Sequence, residues 1–259
     1  MKTSSLIAIP VYNEEAHVVS VLEQVRQYAD HILVVNDGST DGTRGLLEQI
    51  EGVTVIHHPE NLGYGAALAT SFDHALEAGY DVLVTMDCDG QHQPQLLTSI
   101  ADAVYSGEAG YDMVSGSRYL KSFAENTAAP EERRRINQQI TGCLNEQLHL
   151  NITDAFCGFK AYRVSSLADL EITIPGYAMP LQLWVQVTDL DWDICEFPVP
   201  LVYTDENRSF GGSLDQAEER LRHYRSVLNT ELRRRGMTQR FTSDCGKSQS
   251  LAPNVSQDS

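Results

Sequence analysis

The stretch VLVTMDCDGQHQP, residues 82–94, ends an apolar run in two carboxylates one residue apart, Asp87 and Asp89, with the amide of Gln91 two positions on. Three oxygen donors at alternate positions suit a hard divalent cation, Mg2+ or Mn2+. A cation shared with a diphosphate would explain two like charges held so close, because the ion and the phosphates then dominate the local field. Two other segments end in comparable chemistry. IPVYNEE supplies Pro10, Tyr12, Asn13 and Glu14, and VVNDGS supplies Asn36, Asp37, Gly38 and Ser39. The Tyr12 ring can stack on a base, while Glu14 and Asp37 can accept hydrogen bonds from a base or ribose. Taken singly, each is also an ordinary strand-end turn. Three at one edge of one sheet make a much rarer coincidence.

The elements that must position these groups follow from periodicity. Residues 4–10 read as a buried strand stopped by Pro10, and Val18, Val21, Leu22 and Val25 lie at helical spacing. HILVVNDGS reads as a second strand, DGTRGLLEQI as a helix capped by Asp41, and VTVIHH as a third strand. A helix over 63–79, opened by the close-packing glycines Gly63 and Gly65, precedes the fourth strand, DVLVTMD. Strands alternating with helices predict an α/β fold with a mostly parallel central sheet and helices on both faces. Ligands bind such sheets outside the carboxyl ends of the strands, which is where the three polar segments fall.

Beyond residue 90 the expected order is a helix (94–106), a short strand (111–115), a polar loop with Pro130, and a helix (133–149). A helix (178–189), a proline-interrupted edge strand (192–203) and a helix opened by the capping box Ser213–Gln216 complete it. Residues 239–259, polar and aperiodic, read as a disordered tail.

The 259-residue chain carries a formal charge of -17, which argues against nucleic acid as a partner. The charge is uneven. Residues 220–240 hold seven arginines against one acid, Glu231, leaving the remainder at -23. With Leu221, Tyr224, Val227, Leu228 and Leu232 opposite the arginines, the helix over 214–235 has two readings. It could lie on an anionic membrane, or pack its apolar stripe on the acidic core or on a second copy in a dimer. Five cysteines without metal-ligand spacing, and no signal-like segment before the first strand, point to reduced thiols and a cytoplasmic location. No apolar run approaches the length of a membrane span.

IPVYNEE, VVNDGSTDGT, NLGYGAAL, MDCDGQHQP, GSRY and DAFCGFKAY follow, in order, the motifs of family-2 inverting glycosyltransferases. Over about residues 4–214 the chain resembles their dolichyl-phosphate mannosyltransferase and polyprenyl-phosphate sugar transferase branch. The resemblance implies a GT-A fold in a single domain over 1–238, with a nucleotide-binding half (1–118) and an acceptor half (119–238). It implies that Pro10, Tyr12, Glu14, Val35 and Asp37 hold the nucleotide of a GDP- or UDP-linked sugar. Asp87, Cys88 and Asp89 would form the DxD motif, with Gln91 completing the metal site. Arg118 would meet phosphate, and Arg208 matches the arginine of an R-x-x-G-x-S segment ending at Ser213.

In the lipid-phosphate branch an arginine and a serine receive the acceptor phosphate. Arg133 and Asn137 hold that spacing here, with asparagine in place of serine. Leu214 stands where a lysine is frequent, and Gln182 where an acid is usual. The implied reaction is a single displacement at the anomeric carbon, peripheral to a membrane if the acceptor is a lipid. A lipid phosphate needs no general base. A hydroxyl acceptor does, and Asp154 is then the candidate, unless it only orients its loop. Two other readings stand beside this one. An inactive nucleotide-sugar-binding relative would keep the donor site, and a haloacid-dehalogenase-like phosphatase would use Asp87 as nucleophile but leave IPVYNEE and VVNDGSTDGT unexplained.

Overall fold

The computed structural model describes residues 3–203, 216–238, 241, 242 and 245. Four strands are β1 (Ser5–Val11), β2 (Ile32–Asn36), β3 (Thr54–His57) and β4 (Val82–Thr85). Three more are β5 (Met113–Ser117), β6 (Lys160–Arg163) and β7 (Ile194–Pro198). They form one seven-stranded sheet in the order β3-β2-β1-β4-β6-β5-β7. All neighbours pair in parallel except β6, which runs antiparallel to both β4 and β5. The edge position expected for the proline-bearing strand is that of β7.

Helices cover both faces. The apolar side chains of α1 (Val18–Val25), α2 (Thr43–Leu47) and α4 (Leu97–Ala103) pack with Ile7, Ile9 and Val11 of β1 on one side. Those of α3 (Tyr64–Ala78), α5 (Glu131–Leu148), α6 (Met179–Asp189) and α7 (Ala217–Arg234) pack with Leu6 and Ala8 on the other. This is the period-two alternation of a strand buried on both faces. Val18, Val21, Leu22 and Val25 are all buried, each contributing on the order of 2 kcal/mol.

Four expectations change. Pro10 does not stop β1, which continues to Val11. Ile7 donates its N–H to His31 on the β2 side, so position 10 faces β4, where pairing has already ended at Ala8 and Thr85. A proline there removes no ladder bond. The second helix is N-capped at Gly42, although Asp41 still accepts the Thr43 N–H at 3.0 Å. The strand β6 was not foreseen at all. Finally, Phe241 and Cys245, at the start of the segment read as a disordered tail, are buried, and Phe241 exchanges two hydrogen bonds with Asn229 of α7.

Three arginines of the 220–240 segment are engaged by acids of the protein itself. Arg220 is buried and pairs with Glu132 at 2.5 Å, Arg234 pairs with Glu171, and Arg235 lies 3.4 Å from Asp189. Glu231 is buried between Arg234 and Arg235 and accepts from the amides of Gln182 and Gln186. No helix among the described residues is long and apolar enough to cross a membrane.

Candidate active site

A cavity of about 860 Å3 opens at the carboxyl ends of β1, β2 and β4 and runs between α3, α5, α6 and α7. It gathers most of the residues singled out in the sequence: Pro10, Tyr12, Glu14, Asp37, Asp87, Cys88, Asp89, Gln91, Arg118, Arg133 and Asn137. Arg208, Ser213 and Leu214 lie outside the described residues. Asp154, behind Arg118, does not line the cavity, and neither does Val35. Val35 is fully buried in β2 opposite Pro10, within the core under α3, behind the site.

On the nucleotide side, Tyr12 is 41% exposed and presents its ring at the mouth. Asn13 takes a positive φ of 55° and accepts the Thr40 N–H at 2.8 Å, tying the first strand end to the second. Asp37 does something its position did not disclose. Its carboxylate accepts the N–H groups of Leu62 and Gly63 at 2.9 and 2.8 Å and lies 2.7 Å from His58 Nδ1, so it fixes the 58–63 loop. Gly63 and Gly65 allow that loop and the start of α3 to touch the 174–176 segment: a Cβ would meet Pro175 O at 2.4 Å or Ile174 O at 2.2 Å. Tyr177, carried by that segment, stacks on Tyr64 at 5.8 Å.

Beyond β4, Tyr64 donates its hydroxyl to Asp87 Oδ1 at 3.1 Å, and Asp89 Oδ1 accepts the Gln91 N–H at 3.0 Å in a turn through Gly90, φ 72°. Two carboxylates and an amide, with phosphate oxygens or water to complete the shell, fit the oxygen preference of Mg2+ or Mn2+. Among the described residues no three His, Cys, Asp or Glu side chains cluster as a metal site. His92 stays out of the cavity. Its Nδ1 accepts the Asp87 N–H at 3.1 Å, and its side chain is 7% exposed against Phe159.

Gly158 was overlooked in the sequence, although the glycine of DAFCGFKAY was the available signal. A Cβ there would lie 2.4 Å from Asp87 Oδ2. Gly158→Ala is therefore expected to displace the Asp87 carboxylate and weaken metal-dependent nucleotide binding by about tenfold with little change in Tm, as read by calorimetry with and without Mn2+. Unchanged affinity would show that Asp87 does not need this approach.

Across the cavity Arg118 and Asp154 form a two-pronged ion pair, Nε–Oδ2 at 2.7 Å and Nη2–Oδ1 at 2.9 Å. Asp154 is fully buried and also accepts from Asn137 Nδ2 at 2.7 Å and from the Phe156 N–H at 3.1 Å. Burial alone would raise its pKa, but the Arg118 charge and these hydrogen bonds overcome burial and hold it at about 2. A carboxylate so weakly basic and so enclosed is an anchor for Arg118. That geometry favours the orienting alternative for Asp154 over a general base. Asn137, which also lines the cavity, donates Nδ2 to Asp154 and accepts at Oδ1 from Thr141 and the Ala155 N–H. Gln182, at the position where an acid was expected, is fully buried and bridges Thr173, Ile174 and Glu231.

Comparison with known proteins places the chain in a family. The family model for glycosyl transferase family 2 matches residues 6–171, and the chain belongs to that family. It is a glycosyltransferase with the GT-A fold. Among curated proteins it is 32% identical to the polyprenol monophosphomannose synthase of Mycolicibacterium smegmatis, covering 78% of this chain and 77% of that one. It is also 32% identical to the undecaprenyl-phosphate mannosyltransferase of Micrococcus luteus, covering 82% and 90%. Among solved structures, glucosyl-3-phosphoglycerate synthase from Mycobacterium tuberculosis, crystallised with Mn2+, UDP and glucosyl-3-phosphoglycerate, superposes with a TM-score of 0.67 at 21% identity over 91% of this chain and 81% of that one. Membership of the family removes the phosphatase reading of Asp87 as a nucleophile.

Proposed function

We propose that the protein transfers a hexose from a nucleotide-diphosphate sugar to a polyprenyl phosphate by inverting displacement. Mannose is the first sugar to test, from the names of its two relatives. The observation that carries the reading is a segregation of charge along the cavity. The carboxylates lining it, Glu14, Asp37, Asp87 and Asp89, all follow β1, β2 or β4. Opposite them stand Arg118, Arg133, Lys160 and Arg220, with no carboxylate among the described lining residues of that half. A wall of cations without an accessible base suits an acceptor that arrives already ionised.

In this reading Tyr12 and Glu14 hold the nucleoside, and Arg118, kept in place by Asp154, directs its remaining donors at phosphate. Asp87, Asp89 and Gln91 would hold Mg2+ or Mn2+, which supplies charge neutralisation at the departing diphosphate. A phosphate oxygen of the acceptor attacks the anomeric carbon as the bond to the diphosphate oxygen breaks. The electron pair leaves with the nucleoside diphosphate and no proton has to be removed. Tyr119, Tyr203, Tyr224 and Phe156 give the cation-lined half an aromatic surface for the first prenyl units.

The test is a transfer assay with farnesyl phosphate and farnesol as paired acceptors, using a panel of nucleotide sugars with and without Mn2+. Transfer to the phosphate, at least about a hundredfold faster than to the alcohol, is the expected result. Equal transfer to the alcohol would sink the ionised-acceptor reading. Absence of any metal-dependent thermal shift with UDP, GDP or their sugars would sink the donor site.

A further inference from the structure

We propose that Lys160 is a further anion-binding residue of this site, meeting the acceptor phosphate from the cavity floor; the assignment rests on the acceptor reading above. Lys160 opens β6 and pairs with Thr85, the last residue of β4, so it lies directly below the turn that carries Asp87 and Asp89. Its neighbour on the other side is β5, where Ser115 is its register partner. Lys160 thus stands at the junction of the carboxylate-lined and cation-lined halves, and it lines the cavity although only 3% exposed.

Lys160 differs from two of its neighbours in having no direct ion-pair partner, although the charges of Asp154 and Glu196 act on it from farther off. Among the other cations of that half, Arg118 is neutralised by Asp154 and Arg220 by Glu132. Lys160 has no ion pair among the described residues. Its Nζ donates to Ser115 Oγ at 2.5 Å and lies 5.2 Å from the Trp184 ring. An ammonium has three donors, and one is used. Burying a charge without a partner is costly, and burial pulls the Lys160 pKa down accordingly. Such a group costs stability in the free protein and recovers it when an anion enters the cavity. The anion could be the acceptor's phosphate or the donor's diphosphate. The acceptor is favoured because a divalent cation, which Asp87, Asp89 and Gln91 would hold, would already neutralise the donor's diphosphate.

Lys160→Met tests this, since methionine keeps an unbranched apolar stem over Trp184 and removes only the charge and its donors. Wild type and variant are titrated calorimetrically with farnesyl phosphate and, separately, with UDP or GDP plus Mn2+. The expected result is a loss of about tenfold or more in farnesyl phosphate affinity, the size of one hydrogen bond to a charged group. Nucleotide affinity should stay within about twofold, acceptor KM should rise with donor KM unchanged, and Tm should hold or rise because an unpaired buried charge is gone. Undiminished farnesyl phosphate affinity overturns the assignment, as does a loss confined to the nucleotide. A lowered Tm with both ligands equally weakened would make Lys160 a structural residue and also overturn it. If wild type itself binds no farnesyl phosphate, the acceptor reading fails in the wild-type arm, and the Lys160 assignment falls with it.

Discussion

Replacing Asp89 by asparagine is expected to slow sugar transfer by about 10^3 while leaving Tm within about 2 °C of wild type. The Asp89 side chain accepts the Gln91 N–H at Oδ1, and an asparagine carbonyl can accept that bond unchanged. What asparagine cannot supply is the second negative charge of the pair, and with it the affinity for a divalent cation facing a diphosphate. Asp87 is a poorer choice for the same test. Its Oδ1 takes the Tyr64 hydroxyl and its Oδ2 lies against Gly158, so a change there would disturb packing as well as charge. Two measurements on Asp89→Asn decide the matter: the initial rate at saturating donor, and the Mn2+ dependence of the nucleotide-induced thermal shift. Loss of both with Tm intact assigns the pair to metal and diphosphate. A retained rate would reduce the Asp87–Asp89 turn to solvated acids at a strand tip.

That the pair could be found in the sequence at all follows from the physics of parallel strands. Buried on both faces, β1, β2 and β4 read as apolar runs, and the polar residues that interrupt them mark the ligand-binding edge. Legibility failed where the cause lay in a neighbour. β6 is four residues long and begins with a buried lysine, so FKAY carries neither an apolar run nor a clean alternation. Only its placement between β4 and β5 makes it a strand. The pairing of Arg118 with Asp154 likewise depends on that antiparallel insertion, which brings residues 36 apart into a two-pronged contact. Asp37 was visible as a strand-end acid, but the three groups that occupy it come from a loop more than 20 residues away. The arginines of α7 were visible as a run of charge, whereas their partners Glu132, Glu171 and Asp189 come from α5, the loop before α6, and the end of α6.

The Arg118–Asp154 pair yields the second large effect, and it separates an anchor from a base. Asp154→Asn keeps one carbonyl oxygen for Asn137 and Phe156 but turns an amide toward Arg118 and leaves a half-buried guanidinium without its charge partner. Breaking a buried pair in this way costs about 3–5 kcal/mol, which in a domain of this size lowers Tm by about 10 °C. A general base would behave otherwise: the rate would collapse with Tm intact. Acid titration of the wild type gives an independent check. The folded carboxyl has its pKa near 2 against an ordinary 3.8, so its contribution is fully present above the unfolded value and is lost as pH falls from about 4 toward 2. The shift corresponds to about 2 kcal/mol, an amount Asp154→Asn should lack, so the stability difference between wild type and variant should narrow across that window and be flat above it. A difference that instead changed between pH 5 and 8, or an undiminished Tm with a dead enzyme, would return Asp154 to the chemistry.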